Sequence, residues 1–237
     1  MFQTKQRTSE SIVSSKAITN AFLRGVYAWM TAGLALTAAT AWFVAHSETV
    51  LDLLFNGGNM PFYILLAAQL GIVIALSSAV HKMSAGLATF MFMLYSALTG
   101  ITFSVLLLAY AYVVVTKAFI VAAGTFAAFS VYGLVTKRDL TSLGSFMTVG
   151  LIGVLIAMLI NIFTNSPALD YAISVIGVVV FLGLTAFDTQ KLRAMGESAP
   201  LDDAVALRRG TIRGALTLYL DFINLFLFLL RLFGNRR

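Results

Sequence analysis

Apolar residues fall in long blocks, at about residues 25–45, 61–80, 85–112, 116–135, 144–164, 170–190 and 213–234, separated by short polar intervals. Roughly 20 helical residues span the hydrocarbon of a bilayer, so the pattern predicts seven transmembrane helices. Residues 1–23 form a polar arm ahead of them, carrying Lys5, Arg7, Glu10 and Lys16, with a short helix expected after Ser14 or Ser15. No cleavage site follows the first run, which reads as an uncleaved signal-anchor. The second run starts at Pro61, after Asn56-Gly57-Gly58-Asn59, and stops at His81-Lys82. Ser96, Gly100 and Ser104 in the third run, and Gly150, Gly153 and Ala157 in the fifth, form small-residue faces that let another helix approach closely. The expected fold is an all-α integral membrane protein, a seven-transmembrane-helix bundle in one domain over 24–237.

Composition agrees with the pattern. The 237 residues are 59% apolar and 11% charged, against about 25% charged in soluble domains. The net charge of +6 does not point to nucleic acid, because the basic residues cluster in short loops as topology determinants do. There is no cysteine, hence no disulfide frame, thiolate metal site or cysteine nucleophile. With His46 and His81 the only histidines, a histidine-rich metal site is not expected. No cofactor is expected.

Charge also predicts orientation. Alternating sides from a cytosolic N-terminus, one side collects Lys5, Arg7, Lys16, Arg24, Lys82, Lys137, Arg138, Lys191, Arg193, Arg208, Arg209 and Arg213. The opposite inter-helix loops hold Lys117 beside Glu48, Asp52 and Asp170. Basic residues favour the cytosolic side, which puts the N-terminus and the longest loop, 191–212, in the cytosol of a bacterial inner membrane. Arg231, Arg236 and Arg237 do not fit, since seven full crossings put them outside. The last run is long enough to cross, and a re-entrant helix is the alternative.

Two acids stand out in this apolar setting. Asp221 lies in the first third of GALTLYLDFINLFLFLLRLFG, with Asn224 three residues on, and Asp188 closes GVVVFLGLTAFDTQKL. A carboxylate inside a membrane must be hydrated, paired or protonated, because an isolated charge there costs several kcal/mol or more. Measured from Asp170, Asp188 is about 18 residues along its helix, roughly 27 Å. Measured from Arg213, Asp221 is about 8 residues in, roughly 12 Å. Both fall in the cytosolic half, where the two acids can meet. The plainer readings are an interfacial acid beside Lys191 for Asp188, and a helix-dipole acid for Asp221, although that effect fades beyond the first turn. Two carboxyl groups in contact share a proton and form a pH-sensitive latch. They can hold calcium only in passing, since Ca²⁺ takes about 6–8 oxygens and Asn224, helix-end carbonyls and water would have to supply the rest.

The stretches GALTLYLDFINLFLFLLRLFGNRR, IGVVVFLGLTAFDTQKL, LYSALTGITFS (94–104) and TKRDL (136–140) resemble the bacterial branch of the Bax inhibitor-1 family, from about residue 20 onward. The resemblance implies a bundle with the C-terminal helix central. It also implies a pH-dependent calcium leak controlled by an aspartate pair that maps onto Asp188 and Asp221. It further implies a basic residue at the cytosolic end of the second helix that holds the closed state. Here that neighbourhood reads Ala79-Val80-His81-Lys82 and offers no arginine, leaving His81 or Lys82 as the gate partner. His81 would add a charge that changes near physiological pH.

Two other functions compete. One is a non-transporting regulator that binds another membrane protein, such as a membrane protease or stress factor, through the arm and the 191–212 loop. The other is an intramembrane aspartyl protease, which would activate water between the two acids. That enzyme's Gly-x-Gly-Asp context is missing, because Asp221 follows Leu220, and no proline follows residue 200. The sequence therefore reads as a non-enzyme whose partners are the lipid bilayer and calcium ions.

Overall fold

A computed structural model describes residues 2–55, 58, 60–198 and 204–234, with side chains from Lys16 onward except at 55, 81 and 204. Every element among the described residues is helical: α1 (Phe2–Ala45), α2 (Glu48–Phe55), α3 (Met60–Ala79), a 3₁₀ turn (Val80–Lys82), α4 (Ala85–Ala109), α5 (Tyr112–Val135), α6 (Thr141–Thr164), α7 (Pro167–Glu197) and α8 (Ala204–Phe233). All but α2 and the 3₁₀ turn are long and apolar enough to cross a membrane, which gives the seven expected spans. In α8, 61% of the apolar window is buried, against 44% or less in the others. α8 is thus the most buried of the spans.

The helix ends follow from local chemistry. Pro61 sits in the first turn of α3, where its missing N–H costs nothing. The Ser84 hydroxyl accepts the Leu87 N–H at 3.2 Å and starts α4. Asp139 accepts both the N–H and the hydroxyl of Thr141, at 2.9 and 2.6 Å, and starts α6. Asn165 closes α6 in the left-handed conformation, φ 47° and ψ 36°, a common helix stop. Asn161 Oδ1 takes the Ser166 N–H at 3.0 Å, and the Ser166 hydroxyl takes the Leu169 N–H at 3.3 Å, which begins α7 with Pro167 as its first residue.

Several boundaries differ from the sequence reading. Residues 2–23 of the polar arm are part of α1 without a break, since residues 2–24 contain neither Gly nor Pro. The interval after the first run contains α2, whose Val50, Leu51 and Leu54 are half-buried while Glu48, Asp52 and Leu53 face out. The turn between the third and fourth runs falls at Tyr110-Ala111, on a buried tyrosine that polarity does not mark. The described residues of the 191–212 stretch, apart from Ser198, are helical, and 199–203 lie outside the described residues. α7 continues to Glu197, where Arg193 pairs with Glu197 at 2.9 Å, and α8 begins at Ala204. Leu192, Ala194 and Met195, then Ala204, Ala206 and Leu207, are strong helix formers. They override the charges that made the stretch look like a loop.

The chain packs as two compact units. One gathers the residues through Ser104 with Lys191–Leu216; the other gathers Val105–Gln190 with the chain from Thr217 onward. In the first unit, α1 lies tight on α4. A Cβ on Gly100 would come within 2.6 Å of the Thr37 carbonyl, and the Thr37 hydroxyl donates to the Ser96 carbonyl at 2.9 Å. The Ser96–Gly100–Ser104 face is thus a packing seam. Gln69 of α3 crosses to α4, donating to the Thr102 hydroxyl at 2.7 Å and accepting from Thr99 at 3.4 Å.

In the second unit, Gly133 of α5 sits against the Ala186 carbonyl of α7, and Gly144 of α6 lies under the Phe187 ring. The expected small-residue face on α6 is realised only in part. Gly150 packs on Val180, but Gly153 meets nothing within 4 Å. The buried line of α6 passes through Gly144 and Val154, and Gly153 is one residue, about 100°, off that line. α8 runs back along α7. Phe228 packs on Gly177 and Phe181, and Arg231 in the last turn of α8 reaches Asp170 in the first turn of α7 at 3.8 Å. α8 thus runs antiparallel to α7 as far as the end where α7 began.

Candidate functional site

The stripe that α8 buries fixes the setting of Asp221. Leu218 and Leu225 are fully buried at 0% exposure, and Asp221 stands between them at 5%. These positions are three and four residues apart, hence on one helical face. Phe222, beside it, takes the edges of Phe119 and Phe126 from α5 at 5.6 and 5.5 Å between centroids. Among the described residues nothing hydrogen-bonds Asp221 Oδ2. The neighbouring charge that acts on Asp221 is Asp188. The two acids are therefore electrostatic neighbours within one packing unit.

Asp188 follows Phe181, Leu184 and Thr185 along the inner face of α7, and is half-buried where those three are buried. Because α7 continues to Glu197, Asp188 is about nine residues short of the helix end, roughly 14 Å. Asp221 is about 17 residues past the start of α8, roughly 26 Å. The sequence estimate of depth used the ends of the apolar runs, and the helices extend beyond both.

Around Asp188, α7 is tied to its neighbours by polar contacts. The hydroxyls of Thr189 and Ser130 of α5 share a buried hydrogen bond at 3.1 Å. Gln190 accepts the Leu140 N–H at 2.9 Å and donates to the Arg138 carbonyl at 2.8 Å. The TKRDL stretch is thereby fastened to α7 two residues beyond the acid. Sequence reasoning missed Gln190, Thr189 and Ser130. The one signal available was the run of polar residues Asp188-Thr189-Gln190 inside a span.

The other named residues have their own settings. Asn224 is half-buried on α8 and its amide donates back to the Leu220 carbonyl at 2.8 Å, so that amide is engaged by its own helix. Lys82 is exposed at the end of the 3₁₀ turn, in the first unit, and the His81 side chain lies outside the described residues. Of the arginines that troubled the topology, Arg231 is paired with Asp170, while Arg236 and Arg237 lie outside the described residues. No group of three or more His, Cys, Asp or Glu able to hold a metal occurs among the described residues. Two carboxyl groups fall well short of the oxygens a resident calcium takes.

The family model described as "Inhibitor of apoptosis-promoting Bax1" matches residues 19–237. The chain belongs to the Bax inhibitor-1 family. The match begins within α1 and takes in both acid-bearing helices. Among relatives, the chain is 52% identical over 230 residues to "Inner membrane protein YbhL" of Escherichia coli K12, covering 97% of each. It is 44% identical over 234 residues to an "Uncharacterized protein" of Deinococcus radiodurans, covering 99% of this chain and 95% of the other. A Borreliella burgdorferi protein is 42% identical over 220 residues, covering 93% and 94%.

Proposed function

We propose that this Bax inhibitor-1 family member is a multi-pass inner-membrane protein with a cytosolic N-terminus, and that it lets calcium leak down its gradient under control of pH. Asp188 and Asp221 form the gate. The observation that carries this reading is Asp221, buried on an apolar stripe with Oδ2 unbonded and Asp188 as its charged neighbour. Two acids so placed cannot both ionise cheaply and share a proton. A change in that proton count alters the force between α7 and α8. On this reading calcium is the cargo and not a cofactor. Lys82, and His81 with it, are the candidate basic partners of the closed state, and Asn224 a lesser one. The inner-membrane assignment draws on the relative named YbhL and on the seven apolar spans; the cytosolic N-terminus draws on the loop charges. The protein is read as a non-enzyme.

The test is calcium entry into liposomes that carry the purified protein and a trapped calcium dye. The wild type leaks, and the rate changes between about pH 5 and pH 8. Asp188→Asn or Asp221→Asn keeps the size and polarity but removes the titration, and flattens that profile. Absence of flux together with a co-purifying membrane protein would favour a regulator. Cleavage of a membrane substrate, abolished by either Asn variant, would favour the protease.

A further inference from the structure

Gln190 spends both ends of its carboxamide on a segment 50 residues away. Oε1 accepts from Leu140 and Nε2 donates to Arg138. It is half-buried, and Leu140 beneath it is 5% exposed. The residue between the two bonded positions, Asp139, is held by Thr141 through Oδ1, so the 136–140 segment is fixed from α6 as well as from α7. The preceding residue of α7, Thr189, is bonded to Ser130, and Ala186 rests on Gly133. The C-terminal turn of α5, the 136–140 segment and residues 186–190 of α7 are therefore one knitted block, and Asp188 is inside it.

We propose that Gln190 is a positioning residue: it sets where Asp188 stands relative to Asp221 by fastening α7 to the 136–140 segment. This rests on the reading of the acid pair as a gate. A helix displacement that separates the two acids must either carry the 136–140 segment with α7 or break the Gln190 bonds. The charged and titratable groups nearest along the packed elements include Asp221 on α8 with the fully buried Tyr219 and Arg213 on the same helix, Lys137, Arg138 and Asp139 on the segment, Tyr132 on α5, and Lys191 and Arg193 further along α7. Lys137, Arg138 and Tyr132 are exposed, and Asp139 is engaged by Thr141. Gln190 itself carries no charge at any pH. Its removal therefore acts through position, not by adding or deleting a titrating group.

The test uses the full-length protein in liposomes. Gln190→Leu removes both bonds at similar volume and shifts the midpoint of the pH–flux profile by about half a unit or more, the scale of one or two lost hydrogen bonds. A nitroxide at position 137 gains mobility in the same variant. Gln190→Met, the second variant should Leu fail to fold, also removes both bonds and adds no titrating group. It gives the same gain in mobility. A wild-type midpoint in a folded Gln190 variant, while Asp221→Asn still flattens the profile, overturns the positioning role and leaves the gate intact. A profile that neither Asp188→Asn nor Asp221→Asn changes overturns the gate itself. A label at position 137 that remains immobile in both Gln190 variants overturns the fastening.

Discussion

At the scale of single residues, burial separates the acids. Asp139 is fully exposed, and its hydrogen bonds from Thr141 hold its carboxyl below the usual carboxylate range. A depressed value means that the stabilising contribution is present above the ordinary carboxylate pKa and fades as pH falls through the lowered value. Thr141→Val removes the hydroxyl bond and leaves the backbone bond, so the Asp139 titration moves part of the way back toward normal. Carboxyl chemical shifts of Asp139 against pH check this, and an unchanged titration would contradict it. Asp221 is buried instead, with apolar neighbours on its stripe and an unbonded oxygen. It was legible as a candidate because a lone acid in an apolar run is conspicuous. Gln190 was not legible: an uncharged amide at the end of a span carries little hydropathy signal, and only the fold brings residues 138 and 140 to it.

At the scale of elements, two close approaches carry testable weight. Gly133 lies against the Ala186 carbonyl, where a Cβ has no room. Gly133→Val forces α5 off α7 and lowers stability by about 1–3 kcal/mol, the range for overpacking; a thermal melt in detergent reads the loss. Gly153 meets nothing within 4 Å, so Gly153→Val leaves the melting temperature close to that of the wild type. Equal losses at the two sites would contradict the packing described. The spans themselves were legible, because an apolar block of about 20 residues has few alternatives in a membrane. The ends of α7 and α8 were not. Charge was read as loop, whereas helix propensity carries α7 to Glu197 and resumes at Ala204.

At the scale of the whole molecule, the passage of α8 and the charge asymmetry make a joint prediction. Arg231 beside Asp170 takes the last turn of α8 to the end where α7 starts. With a cytosolic N-terminus, a cysteine introduced at 232 reacts with a membrane-impermeant thiol reagent from the periplasmic side, and one at 137 does not. Reaction of both from the same side would contradict the topology. The native chain contains no cysteine, so each label reports one site.

The central claim is that Asp188 and Asp221 act as one titrating unit, and a double-mutant cycle on calcium flux tests it most directly. Residues that act as a unit are non-additive. The pH profiles of Asp188→Asn, Asp221→Asn and the double variant are therefore predicted to be equally flat. Two single variants that each shift the profile by separate amounts, adding up in the double variant, would contradict a shared gate.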